Sequence, residues 1–149
     1  MGMGSRRRGR EVALQILYQL DVQEQLSDQQ GLALFWQNFA AHEEEPPKDE
    51  RDDEEAREFA GQLVKGVREH LQEIDSLLAT ASKNWRIERM ARVDRNLLRL
   101  ALFELKYSAD VPAKVAINEA IEIAKRYGTA ESPAFVNGIL DRCLEEVGR

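Results

Sequence analysis

Arg6, Arg7, Arg8 and Arg10 are four guanidinium groups within five positions, with no acid before Glu11. Such groups pair bidentately with phosphates and stack on unpaired bases, which is the chemistry of RNA-binding basic arms. A solvated basic tail at or before a helix start fits the same spacing, and both readings stand. Arg95, Arg99 and Lys106 are separated by four and seven residues, which places them on one narrow strip of a helix. That strip is either a wet edge paired locally with Asp94 or Glu104, or a surface for a partner. Lys114, Asn118 and Glu122 follow at four-residue steps and read as an outer helix face. Asp94 precedes a strongly apolar stretch, where a carboxylate caps a helix or receives donors from a partner. Phe135 and Tyr18 are core rings or base-stacking rings.

Catalytic chemistry finds little to work with. Cys143 lies on an apolar stripe and reads as a buried small hydrophobe. No His stands near a Ser, Cys or acid pair at motif spacing, and neighbouring acids such as Glu145 and Glu146 are ordinary on helix surfaces. His42 and His70 are too far apart in the chain to suggest a metal site, and no cofactor is expected.

These side chains must be positioned by elements of a 149-residue chain that is 43% hydrophobic, enough for one domain with its own core. The charged fraction of 32% against 7% aromatic favours helices with salt-bridged outer faces over sheet. The net charge of −6 argues against nucleic acid only as an average. Nine acids and two bases within 43–55 carry −7 and leave the rest at +1. A single cysteine excludes an intrachain disulfide. No apolar run is long enough to span a bilayer, the start lacks the apolar middle of a secretory signal, and Arg6 replaces the Ser or Thr of a myristoylation signal. The expected location is the cytoplasm.

Hydrophobic periodicity predicts an all-α fold of about seven helices in two small helical bundles, organised as a single domain over 1–149. Ser5 is expected to cap a first helix that buries Val12, Ala13, Ile16, Leu17 and Leu20 and ends near Gln23. A short helix is predicted over 32–40. Pro46 and Pro47 in the acidic run predict an exposed acidic loop at about 42–52. Phe59, Leu63, Val67, Leu71, Ile74 and Leu78 keep helical spacing over 53–80, as one helix or two, with Asp52 or Asp53 as cap. A short turn over 84–90 is expected to tuck Trp85 and Ile87 inward. The stretch 93–107 is apolar almost all round and reads as a central helix. Pro112 opens the next helix, Gly128 ends it, and its alanines imply close helix packing. Ser132 and Pro133 open the last helix, in which Gly138 is expected at a second close crossing.

Four stretches, in order, resemble the NusB family. They are Arg6-Arg7-Arg8-Gly9-Arg10-Glu11 with Ala13-Leu14-Gln15 and Leu17-Tyr18; Val93-Asp94-Arg95-Asn96-Leu97-Leu98-Arg99 continuing through Leu105; Asp110-Val111-Pro112 with Lys114 through Glu122; and Phe135-Val136-Asn137-Gly138-Ile139-Leu140-Asp141. The resemblance implies a non-catalytic transcription antitermination factor acting on ribosomal RNA operons. By that resemblance its partners are boxA RNA, the ribosomal protein NusE, and an RNA polymerase antitermination complex with NusA and NusG. It also implies that Arg6, Arg7, Arg8, Arg10, Lys114 and Phe135 contact RNA, and that Glu88, Asp94 and Arg95 face NusE. Two alternatives accompany it. One is a NusB-like RNA-binding domain assisting a ribosomal RNA methyltransferase; the chain shows no Rossmann-type glycine motif, so catalysis would need a separate partner. The other is a homodimer that hides its arginines until NusE competes for them.

Overall fold

The computed structural model describes residues 3–23, 30, 50–83 and 85–149. The helix predicted over 32–40 and residues 42–49 of the predicted acidic loop lie outside the described residues. Among the described residues there are six α-helices and one 3-10 turn, without a strand: α1 (Met3–Val22), α2 (Glu50–Glu69), α3 (Leu71–Ala81), the 3-10 turn Ile87–Arg89, α4 (Arg92–Tyr107), α5 (Ala113–Tyr127) and α6 (Ser132–Val147). No helix among them is long and apolar enough to cross a membrane. The chain divides into two compact units, Met1–Lys65 and Gly66–Arg149.

The first unit is built on α1 and most of α2. The expected stripe of α1 is buried at Val12, Ala13, Ile16, Leu17 and Leu20, joined by Leu14, and α2 buries Ala56, Ala60, Leu63 and Val64. Gly9 sets their separation. A Cβ there would lie 2.8 Å from Cδ2 of Phe59 and 3.1 Å from the Ala56 carbonyl oxygen, closer than side chains tolerate.

In the second unit α4 is the central helix, burying Leu97, Leu98, Leu100, Ala101, Leu102 and Leu105. Helices α3, α5 and α6 pack with it. Helix α5 contributes Ala116, Ile117, Ala120, Ile123 and Ala124, and α6 contributes Val136, Ile139, Leu140 and Cys143. The stretch expected as one helix or two is two, parted by a turn at His70.

Several local expectations are corrected. Ser5 is not a cap but a buried residue inside α1, which already runs at Met3. Helix α2 starts at Glu50, so Asp52 and Asp53 lie inside it and do not cap it, and the predicted loop does not extend through Glu50 and Arg51. Asp94 does not cap α4: Ala91 occupies that position and Asp94 is a first-turn acid. Trp85 is 57% exposed rather than tucked inward, and the buried apolar residue of this stretch is Met90. Gly138 faces open space and makes no close crossing.

Candidate RNA and partner interface

Arg6 and Arg10 are one helical turn apart on α1 and share a side of it. Both guanidinium groups lie over the ring of Phe59, at 5.9 Å and 5.4 Å from its centroid. The close approach that Gly9 permits brings that ring from α2 to α1. Arg10 is 3% exposed, so its cation–π contact is largely desolvated and stronger than a surface one. Arg6 and Arg8 are half-buried, Arg7 is exposed, and Tyr18 shows its ring to solvent further along α1. The arginines are thus helical residues of different burial, not an extended arm.

In the second unit, Glu88 is exposed on the 3-10 turn and Asp94 and Arg95 lie just after it. Arg95 is nearly buried and donates from Nη1 to the Ile87 carbonyl at 3.1 Å, tying the turn to α4. Asp94 is 8% exposed, and its Oδ1 has no hydrogen-bond partner among the described residues. A buried acceptor without a donor costs about 1–3 kcal/mol, and more when charged, so an incoming N–H or O–H would recover that energy. Lys114, Asn118 and Glu122 are exposed along α5 as expected, with Glu122 accepting from Lys125 at 3.0 Å. Phe135 is half-buried on α6, edge-on to Trp85 with ring centroids 5.7 Å apart.

The strip formed by Arg95, Arg99 and Lys106 is an inter-helix seam as well as a wet edge. Arg99 forms two parallel hydrogen bonds to Asp75 of α3, at 2.8 Å and 2.9 Å, and a third to Asn96 Oδ1 at 3.2 Å. Lys106 and the Tyr107 hydroxyl both donate to Glu73 of α3. These donors hold the Glu73 carboxyl below the usual carboxylate range, Lys106 first and Tyr107 second. The same carboxylate holds Lys106 and Tyr107 above their ordinary values. Partners on α3 could not be read from α4, which offers the closer Asp94 and Glu104. Glu73 and Asp75 carried no motif that singled them out. Trp85 was equally missed as an exposed ring.

Cys143 is buried, and that burial, with Glu146 nearby, pushes its thiol up to about 11, so little thiolate is available near neutral pH. No group of three or more His, Cys, Asp or Glu able to hold a metal ion occurs among the described residues.

A model of the NusB family matches residues 7–145. The chain is 51% identical over 140 residues to the transcription antitermination protein NusB of Myxococcus xanthus, covering 94% of each. It is similar in structure to T. maritima NusB, with a TM-score of 0.79 and 40% identity over 95% of this chain and 91% of that one. It is also similar to a chain in the crystal structure of antitermination factors NusB and NusE in complex with double-stranded RNA. There the TM-score is 0.77 and the identity 25%, over 97% of this chain and 99% of that one.

Proposed function

The chain belongs to the NusB family, and from that membership we propose that it is a non-catalytic transcription antitermination factor that binds boxA RNA together with NusE. The observation that carries this reading is the near-full-length likeness to a chain in a complex of NusB, NusE and RNA. The proposed wider assembly contains RNA polymerase, NusA and NusG, and the proposed location is the cytoplasm. The family match runs through both compact units, which supports treating 1–149 as one functional domain.

Within the first unit, Arg7 and Arg8 are assigned to RNA phosphates, supported by the exposure of Arg7 and the part-exposure of Arg8. Arg6 shares that task, while Arg10, held over Phe59, positions the helix that bears them. Lys114 and Phe135 of the second unit are assigned to RNA as well. Glu88, Asp94 and Arg95 are assigned to NusE, and the unpartnered Asp94 Oδ1 supports a donor arriving from a partner there. The arginines supply salt-dependent affinity, and base contacts shared with NusE supply selection.

The test is fluorescence anisotropy of labelled boxA RNA and a scrambled control, titrated with this protein alone and with NusE. Selective binding that tightens with NusE is expected; equal, weak binding to both RNAs in the presence of NusE would overturn the reading. In a calorimetric titration Asp94→Lys should lose pairing with NusE, and normal pairing would remove Asp94 from that surface.

A further inference from the structure

Trp85 combines an exposed ring with a fixed backbone. Its N–H donates to the Ser82 carbonyl at 2.6 Å, and its own carbonyl accepts from the Ser82 hydroxyl at 3.1 Å. The single hydroxyl proton is shared with the Leu78 carbonyl, 2.6 Å away, so a buried serine at the end of α3 anchors the residue chiefly through its backbone carbonyl. Trp85 is nevertheless 57% exposed, so ring surface is open to a ligand. Phe135 meets the indole at 78°, a T-shaped contact that covers at most one of its faces.

Lys83, Arg86 and Arg89 stand with Trp85 around an open hollow of about 640 Å³, with Glu88 the one acid among its described lining residues. All three cations are exposed, in a chain whose net charge is −6. An exposed ring on an anchored backbone, with cations lining the same hollow, matches the requirements of a nucleotide: a π-face for the base and positive charge for its phosphate. We propose that Trp85 is a stacking platform for an unpaired base of single-stranded RNA, with Lys83, Arg86 and Arg89 receiving the adjoining phosphates. This rests on the RNA-binding reading above and adds to it a residue that neither the sequence pattern nor the resemblance had assigned to RNA.

The test uses the full chain with Trp36→Phe, so that Trp85 is the sole tryptophan emitter, together with NusE and a single-stranded boxA RNA. Anisotropy of labelled RNA reports binding, and indole emission with unlabelled RNA reports stacking. Quenching over the same concentration range as binding is expected. Trp85→Ala should weaken binding roughly tenfold or more with an unchanged melting curve, and Trp85→Phe should retain most of the affinity. Arg86→Gln should reduce the salt dependence. Tight RNA binding with unchanged emission and an unaffected Trp85→Ala variant would overturn the platform and leave the RNA reading intact. Loss of NusE pairing with normal RNA affinity in Trp85→Ala would overturn it in favour of a protein contact. No RNA binding at all, even with NusE, would overturn both.

Discussion

Arg7 and Arg10 are only three positions apart, yet the structure gives them different surroundings. Arg7 is exposed, whereas Arg10 is 3% exposed with its guanidinium over Phe59. Replacing Arg7 and Arg8 together by Ala should weaken binding to boxA and scrambled RNA alike and flatten the dependence of log affinity on log salt, leaving the melting temperature nearly unchanged. Arg10→Ala should instead destabilise the fold by about 1–3 kcal/mol, through lost packing and the lost cation–π contact, as read by denaturant titration. At Glu73 the relevant variable is pH. Its carboxyl is lowered by donation from Lys106 and Tyr107, so the stabilisation it adds is complete above the unfolded carboxylate pKa and is lost as pH falls through the lower folded value. Thermal melts of Glu73→Gln and the unmodified chain should therefore differ at neutral pH and converge in acid. A constant difference across that range would show that the charge of Glu73 contributes nothing.

Between elements, glycines divide by what surrounds them. At Gly128, which ends α5, a Cβ would press on the Ser132 hydroxyl, 2.5 Å from Ser132 Cβ and 2.9 Å from the Ala124 carbonyl oxygen. The φ of −96° is ordinary for any residue, so this glycine is needed for space. The space admits the Ser132 hydroxyl, which accepts from the Thr129 N–H at 2.9 Å and organises the start of α6. Gly128→Ala should cost about 1–3 kcal/mol, as overpacking does. Gly138 is exposed inside α6 with nothing within 4 Å of an added Cβ, so Gly138→Ala should stabilise by up to about 1 kcal/mol through helix propensity. Denaturant midpoints of the two variants should move in opposite directions. The sequence placed both glycines correctly relative to helix ends and middles. It could not say which had a neighbour, because the pressing atoms at one belong to the start of another helix and the other faces solvent.

For the whole molecule, charge is distributed so that the average conceals function. The acids of 43–55 outnumber the bases by seven in a chain with a net charge of −6. Changing Glu43, Glu44 and Glu45 to Gln should tighten RNA binding at low salt, with the gain shrinking as salt rises, because repulsion between carboxylates and phosphate is screened over about 8 Å at physiological ionic strength. Anisotropy at two salt concentrations measures both quantities; a gain independent of salt would rule out repulsion as the cause.

The helical class and most helix boundaries were legible because they depend on local rules: the 3.6-residue period of apolar residues, the missing donor of proline, and the small volume of glycine and alanine. The family resemblance was legible for the same reason, since its motifs are contiguous. Burial of individual polar groups was not legible. Arg99 met Asp75 as well as Asn96 of its own helix, Lys106 met Glu73, and Arg10 met Phe59; the partners on other helices lie 24, 33 and 49 residues away. The exposure of Trp85 was likewise decided by tertiary structure, in which Met90 is the buried apolar residue of that stretch and the Trp85 backbone meets Ser82. Periodicity determines which face of a helix turns inward, whereas the partner of each side chain on that face's edge is supplied by helices distant in the chain, and only their packing selects it.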